Sequence, residues 1–503
     1  MLISRLLLQR LIQGEYMSIP SLQALVLAAG KSTGFKTGKT KLIEKVCGQE
    51  IILYATRLLQ SMHIQASVII GYQKELITAV VQKQHADLFS FIEQQEQQTV
   101  IESIIHASTQ HPQEHILIMH ADMPLITQEL IEALYKKHLE TNATITLVTS
   151  HVVNPHDTQY GRVIKKNNAI TIAQPSEIQD DLGEHCCIDA SVYLIKKSFL
   201  EKHALILEKE CTNQEWYMHE LIHIAHEYKD PVTTIAAPFD TIRGINTLQE
   251  LWAVEQIKRS ELIRYWMDRG VRFSAAQNVH IDLNINIGTG SFIGCGAHII
   301  GHSVIGQNSS IMEFSTVEDS IIGDNVLVEP HSIIRNSTIH HNVTVGPFAH
   351  IRNQSEIHEY THIGNFVEIK KSSVAHHTNA KHLAYIGDTT IEHHVNIGAG
   401  TVICNYDGHN KHETTIKEHA FIGSNSTLIA PITIEKNAYV AAGSTVIESV
   451  PENALAIARS RQVNKNDYAL LLKKKKAQKA AANDNDSFIP AKKAQYPPNI
   501  QNN

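Results

Sequence analysis

Apolar positions along the chain change their period twice. From about residue 22 to 247, short apolar runs alternate with helical stretches. Leu25–Ala28 precedes a loop, Val68–Ile70 follows a helical segment, Ile116–Met119 runs into His120-Ala121-Asp122, and Thr144–Val148 follows another helix. That alternation predicts an α/β domain with a mainly parallel sheet. From Thr247 to about Arg269, apolar residues recur at Leu248, Leu251, Trp252, Ile257, Leu262, Ile263 and Trp266. Such spacing suits one long helix connecting two domains.

Beyond the helix the period becomes six. Anchors read Ile287, Ile293, Ile299, Ile305, Ile311 and Val317, then Ile333, Ile339, Val345, Ile351, Ile357, Ile363 and Ile369. A third run reads Ile391, Ile397, Ile403, and a fourth Ile416, Ile422, Leu428, Ile434, Val440, Val446. Small residues often follow the anchor, as in Ile293-Gly294, Ile363-Gly364 and Ile397-Gly398. Neither a helix nor a long strand uses a period of six, whereas a hexapeptide β-helix stacks one anchor per face. Three units make a coil, which predicts roughly nine coils. Residues 373–385 and 404–415 break the repeat with polar and aromatic residues, and insertions in a solenoid become loops where sites are built. After Arg461 the chain turns polar, and a tail disordered past a short helix is expected.

Composition narrows the function. The 503 residues are 43% hydrophobic and 19% charged, enough apolar material for several cores. A formal charge of −7 gives no basic field for nucleic acid. Six scattered cysteines without C-x-x-C spacing suggest a reducing compartment and no zinc knuckle. No apolar run approaches the ~20 residues of a membrane span. The opening MLISRLLLQRLIQGEY lacks the apolar stretch of a secretory signal. A soluble, cytoplasmic protein is expected, divided into an extension (1–16), an α/β domain (17–247), a linker helix (248–269), a β-helix (270–462) and a polar tail (463–503).

Three segments carry chemistry. Leu27-Ala28-Ala29-Gly30-Lys31-Ser32-Thr33-Gly34-Phe35 follows a strand, and glycine there lets backbone approach phosphates. Lys381-His382-Leu383-Ala384-Tyr385 and Cys404-Asn405-Tyr406-Asp407-Gly408 fall in the two breaks of the repeat. An imidazole with a pKa near ~6.5 suits a general base. With 31 histidines in the chain, His382 alone points to nothing; its company does.

The order of α/β domain, helix and hexapeptide repeat, together with these motifs, resembles the bifunctional GlmU family of bacteria over residues 22 to 460. The resemblance implies a nucleotidyltransferase-like, Rossmann-like domain joined to a left-handed β-helix. It also implies glucosamine-1-phosphate N-acetyltransferase and N-acetylglucosamine-1-phosphate uridyltransferase activities, with acetyl-CoA, UTP and Mg2+, in a homotrimer. His382 matches the family's catalytic base and Glu368 the carboxylate working with it. Arg352, Lys370, Tyr385, Asn396 and Lys411 match sugar-phosphate positions. Asn405 and Tyr406 match the reacting centre, and Ala399, Ser424, Ala442 and Arg459 match acetyl-CoA contacts. In the first half, Lys41 matches the catalytic lysine, Asp122 and Asn246 the metal ligands, and Gly30, Gln94, Gly161 and Asp189 nucleotide or sugar positions.

Departures from the family pattern gather in the first half. L-A-A-G-x-G-T-R-M becomes a segment with Ser32 for the second glycine and Gly34 for the arginine, and Thr40 replaces a proline. G-T-x-H-A reads Thr99-Val100-Ile101-Glu102-Ser103, I-N-T-G reads Ile188-Asp189-Ala190-Ser191, and a family glutamate is missing around Gln174. Loss of a transition-state cation costs several kcal/mol, and Lys31, Lys36 or Lys39 lacks arginine's planar fork. The expectation is an acetyltransferase with slow or absent uridylyl transfer. Two alternatives are an acetyltransferase carrying a non-catalytic scaffold or regulatory domain, and a β-helix metalloenzyme of the γ-carbonic-anhydrase type.

Overall fold

The computed structural model describes residues 21–486 apart from 37, 87, 96–98, 153–159, 167–168, 174–186 and 211–216. The extension 1–16 and the surroundings of Gln174 lie outside the described residues.

In the α/β half, Leu22–Ala28 is central, parallel to both Gln65–Ile70 and His115–His120. The sheet continues through Ser90–Glu93 on one side, and through Cys187–Lys196, Ile145–His151 and Val232–Ala236 on the other. Cys187–Lys196 runs antiparallel to both of its neighbours, so the sheet is mainly, not wholly, parallel. Alternate residues of the central strand enter two cores: Ala24 and Val26 pack on one face, Leu25 on the other. Helices cover both faces, which is why the strands read as continuous apolar runs.

The connecting helix is Leu248–Met267. Val254 is buried in the α/β core, while Ile263 and Trp266 belong to the β-helix core. One rigid rod therefore enters both cores.

The second half is a prism of three parallel sheets, with 11, 10 and 9 strands among the described residues. Its faces begin at Arg272–Phe273, His280–Ile281 and Asn286–Ile287. The aliphatic anchors point inward and are fully buried. Three expectations need correction. The breaks in phase at 317, 334, 369 and 386 are steps of five rather than six, to Ile322, Ile339, Val374 and Ile391. Each falls between the second and third faces, so one corner absorbs the length variation and the sheets keep their pairing. Ile334, not Ile333, is the buried anchor of its strand. Residues 373–385 are no insertion: Ser373–Val374 and Asn379–His382 stay in register, with Ala380 as a small anchor. Only 404–413 leaves the coil, again at that corner, between Val402–Cys404 and Thr414–Ile416.

The polar tail begins with a helix, as expected, and residues after 486 lie outside the described ones. Tyr468–Asp486 is a helix, because alanine, leucine, lysine and glutamine are strong helix formers even without a core to pack on. No helix among the described residues is long and apolar enough to cross a membrane.

Candidate active sites

The parallel strands of the first half end at a cleft of about 1890 Å³. Ligands of open α/β sheets bind at such carboxyl ends. Gly30, Lys41, Gln94, Asp122, Gly161, Asp189 and Asn246 all line it. Lys41 Nζ donates to Asp122 Oδ2 at 2.5 Å and to Asn246 Oδ1 at 2.6 Å. A carboxylate and an amide oxygen thus converge on one positive charge, and both are hard donors that suit Mg2+. A Cβ built on Gly30 meets nothing within 4 Å. The chain itself therefore leaves room at Gly30, beside the cleft, for close approach by a ligand.

Local structure explains several departures from the family pattern. Ser32 Oγ accepts from the Lys41 amide at 2.8 Å, and Thr40 Oγ1 accepts from the Leu42 amide at 3.3 Å, so both hold the turn that carries Lys41. Thr99 and Glu102 form a reciprocal capping box for helix Val100–Thr109. Burial pushes the Asp189 carboxyl up to about 6, against hydrogen bonds from the Tyr193 hydroxyl and the Ser191 amide. Gly34 is the tightest point: a Cβ there would lie 2.3 Å from the Asn246 carbonyl oxygen. A side chain at 34 must therefore move the segment that carries Asn246.

Glu250 was missed in the sequence. Its Oε2 accepts from the amides of Thr247 at 2.9 Å and Asn246 at 2.7 Å, fixing Asn246 at the start of the connecting helix. The Thr-x-x-Glu spacing of a capping box was the available signal.

In the β-helix the site is a set of columns. Asn365 and His382 are register partners on successive coils, and His382 Nδ1 lies 2.7 Å from Asn365 Oδ1. Within the same chain Glu368 does not meet His382: it sits on the second face and takes Arg352, with Nη2–Oε1 at 2.6 Å and Nε–Oε1 at 3.0 Å. Adjacent coils place only register partners together, and Glu368 is partnered by His350 and Tyr385. Asn365 is thus a further residue that sequence reasoning missed; the 17-residue coil step from His382 pointed to it.

Ala399, Ser424 and Ala442 continue the corner occupied by Asn365 and His382, each two residues past a first-face anchor. Backbone bonds tie them together, from the Asn425 amide to Ala399 O at 2.7 Å and from the Gly443 amide to Ser424 O at 2.8 Å. Arg459 closes the column by donating to Ala442 O at 3.0 Å. Asn396 lies on the first face, beside Asn379.

Cations gather at the neighbouring corner. Arg352 and Lys370 are register partners, and the Lys411 ammonium beside Lys370 pushes the Lys370 pKa down. Buried Asp388 lies near Lys370, Nζ–Oδ2 at 3.9 Å, and near Lys371, Nζ–Oδ1 at 3.3 Å, and accepts from Asn405 Nδ2 at 2.5 Å. Lys411 is delivered by the 404–413 loop, which is tied by Asp407 to His412 and to the amides of His409 and Asn410, each at 2.7 Å. His412 and those amides hold the Asp407 carboxyl well below the usual carboxylate range. Tyr406 pairs with Lys411 across that loop, while Tyr385 stands beside Glu368.

A nucleotide-binding α/β cleft joined by a rigid helix to a hexapeptide prism defines a two-domain transferase. Family models agree: a MobA-like NTP transferase domain matches residues 24–211, and a bacterial transferase hexapeptide of six repeats matches residues 336–371. Proteins named "Bifunctional protein GlmU" align over nearly the whole chain. That of Thermosipho melanesiensis is 34% identical over 92% of this chain and 100% of its own length. Those of Geobacillus sp. (35% over 90% of this chain, 98% of theirs) and Carboxydothermus hydrogenoformans (34% over 89%, 100% of theirs) are similar. The chain belongs to the GlmU family.

Proposed function

We propose that the β-helix half transfers acetyl from acetyl-CoA to the amine of glucosamine 1-phosphate, feeding synthesis of UDP-N-acetylglucosamine in the cytoplasm. Two observations carry this reading together: the His382–Ala399–Ser424–Ala442–Arg459 column on one corner of the prism, and the Arg352, Lys370 and Lys411 cations on the neighbouring corner. At the ~4.8 Å spacing of paired strands, four coil steps make the column ~19 Å long, a length that suits an extended thioester arm. Small side chains along it leave the arm room, and Arg459 at its end suits an anionic head.

An amide oxygen only accepts, so Asn365 keeps the hydrogen of His382 on Nδ1 and leaves Nε2 bare to take a proton from the attacking amine. Nitrogen then attacks the thioester carbonyl, the carbon–sulfur bond breaks, and the thiol leaves. Arg352, Lys370 and Lys411 hold the phosphate, with charge-assisted bonds the main source of affinity. A trimer is part of the reading. Phe314, His331, Phe348 and Phe366 stack in an exposed ridge that runs on to Leu383, next to His382, and a second β-helix is the natural cover for it.

For the first half we propose a Mg2+–nucleotide site with slow uridylyl transfer from UTP to N-acetylglucosamine 1-phosphate. Asp122 and Asn246 would hold the ion, which when bound shields phosphate charge; Lys41 would bind the triphosphate. The alternative of a non-catalytic scaffold is favoured by one observation, the lack of space for an arginine at position 34. Two assays on the full chain decide: free-thiol release from acetyl-CoA with glucosamine 1-phosphate, and pyrophosphate release from UTP with N-acetylglucosamine 1-phosphate and Mg2+. Thiol release with very slow pyrophosphate release is expected; absence of thiol release overturns the reading.

A further inference from the structure

Histidines concentrate on the one corner of the prism that neither proposed activity uses, between the third and first faces. Reading out from successive third-face anchors, the chain places His340-His341, His358-Glu359, His376-His377, His393-His394 and Glu418-His419. Coil stacking superimposes them in two columns: His340 lies on His358 with ring centres 4.6 Å apart and planes 8° from parallel, and His377 lies on His394 at 4.9 Å and 3°. Histidines stacked this way lose stability if all are protonated, so stacking alone gives no reason for the choice of residue.

Two places add a carboxylate. At the first, Glu356 Oε1 is 2.8 Å from His340 Nε2 and 3.8 Å from His358 Nε2, and Glu359 Oε1 is 3.8 Å from His340 Nδ1. The ligand atoms of His340, Glu356 and His358 all lie within 4.8 Å of one another, on two half-buried histidines and an exposed glutamate. At the second, His393 Nε2 is 2.9 Å from Glu418 Oε2, with His419 close by. There, however, Glu418 is also paired with the Lys436 ammonium, so a cation already neutralises it. The ion pairs of Glu356 among the described residues are with imidazoles only.

We propose that His340, Glu356 and His358 form a site for a borderline divalent transition metal such as Zn2+, clipping two successive coils together. Two imidazole nitrogens and a carboxylate form a donor set that zinc accepts and that magnesium, which prefers all-oxygen ligands, does not. The ligands come from coils already in register, with Thr338 opposite Glu356, so small side-chain rotations bring the three donors onto one ion. Open coordination positions face solvent and take water. In a solenoid each coil touches only its neighbours, so a clip between two of them resists local opening where it stands. The site is independent of the acetyl-transfer reading.

The test uses the full chain, stripped with a chelator and titrated with Zn2+ calorimetrically at pH 7.5. One tight equivalent per chain is expected, with Mg2+ unable to compete at a thousandfold excess. His358→Ala and Glu356→Gln should each weaken that equivalent at least tenfold, while His393→Ala with His419→Ala leaves it unchanged. His340→Asn gives a second, milder variant should an alanine disturb the coil, with circular dichroism as the check on folding. Co2+ substitution should give the visible absorption of a nitrogen-ligated site, lost in His358→Ala. Unchanged Zn2+ binding in both His358→Ala and Glu356→Gln overturns the proposal, as does loss of the equivalent only in the His393/His419 variant.

Discussion

In the first half, Lys41, Asp122 and Asn246 meet from segments up to 205 residues apart. In the second, Asn365 and His382 meet because one coil of the prism returns the chain to the same corner 17 residues later. The cleft depends on three loops being placed by a sheet, two turns and a helix cap. The corner depends only on register. A substitution in the cleft therefore travels through backbone contacts to a residue far away in sequence, whereas a substitution on the corner stays with its own column. In the cleft, Ser32 and Thr40 hold the turn that carries Lys41, and Glu250 holds the segment that carries Asn246, so each site residue has a support of its own.

The largest expected effect breaks the corner without touching the cleft. His382→Ala should lower acetyl transfer about 10²–10⁴-fold, the range of general base catalysis, while pyrophosphate release and the circular dichroism spectrum stay unchanged. Asn365→Ala should cost less, about tenfold in kcat, because it frees the imidazole to change tautomer, and Asn365→Gln should recover part of that loss. Wild-type turnover in folded His382→Ala removes the histidine from the mechanism.

The next sharpens the comparison from the cleft side. Gly34→Arg returns the family's arginine, yet it should weaken binding of Mg2+–UTP at least tenfold rather than restore uridylyl transfer. Its Cβ would fall 2.3 Å from the Asn246 carbonyl oxygen, so the segment holding the proposed metal ligand Asn246 must shift. Calorimetric titration with Mg2+–UTP checks this; a gain in pyrophosphate release shows that the loop adapts. Arg352→Ala comes third. It should raise the KM for glucosamine 1-phosphate about 10- to 100-fold with a smaller change in kcat, because a phosphate contact acts in ground and transition states alike.

Legibility followed the same divide. The prism was plain because buried anchors at a fixed period leave one arrangement, and Ile293, Ile351 and Ile422 are fully buried as the period requires. Phase was harder. Four steps of five residues look like breaks in sequence, and an alanine anchor at 380 hid a regular coil. Within one chain His382 meets Asn365 and not Glu368; resemblance names residues without saying which share a register. In the cleft, Ser32, Thr40 and Thr99 read as losses, and only hydrogen bonds reveal them as supports of Lys41 and of a helix start. A polar residue replacing a family residue carries no sign in the sequence of what it now holds.

The smallest expected effect is one of stability, and it sits wholly in the cleft. Burial raises the Asp189 carboxyl from its ordinary value of ~3.9 to about 6, outweighing the Tyr193 hydroxyl and the Ser191 amide, which favour the charged form. Between pH 4 and 6 the folded domain thus holds a proton that the unfolded chain has released. Stability from this group is greatest below pH 4, falls as pH rises through 6, and is level above 7. A shift of about two units sets an upper limit of ~3 kcal/mol, and loss of the two hydrogen bonds to a charged acceptor offsets part of the gain from removing it. Asp189→Asn should therefore stabilise the first domain by about 1 kcal/mol at pH 8 and by nothing at pH 4. Denaturant unfolding followed by a signal confined to that domain measures it, since the two halves need not unfold together. A gain of equal size at both pH values shows that packing, not the buried charge, is responsible. The β-helix transition should not move at either pH, because the Asp189 carboxyl is buried within the first domain's own cleft.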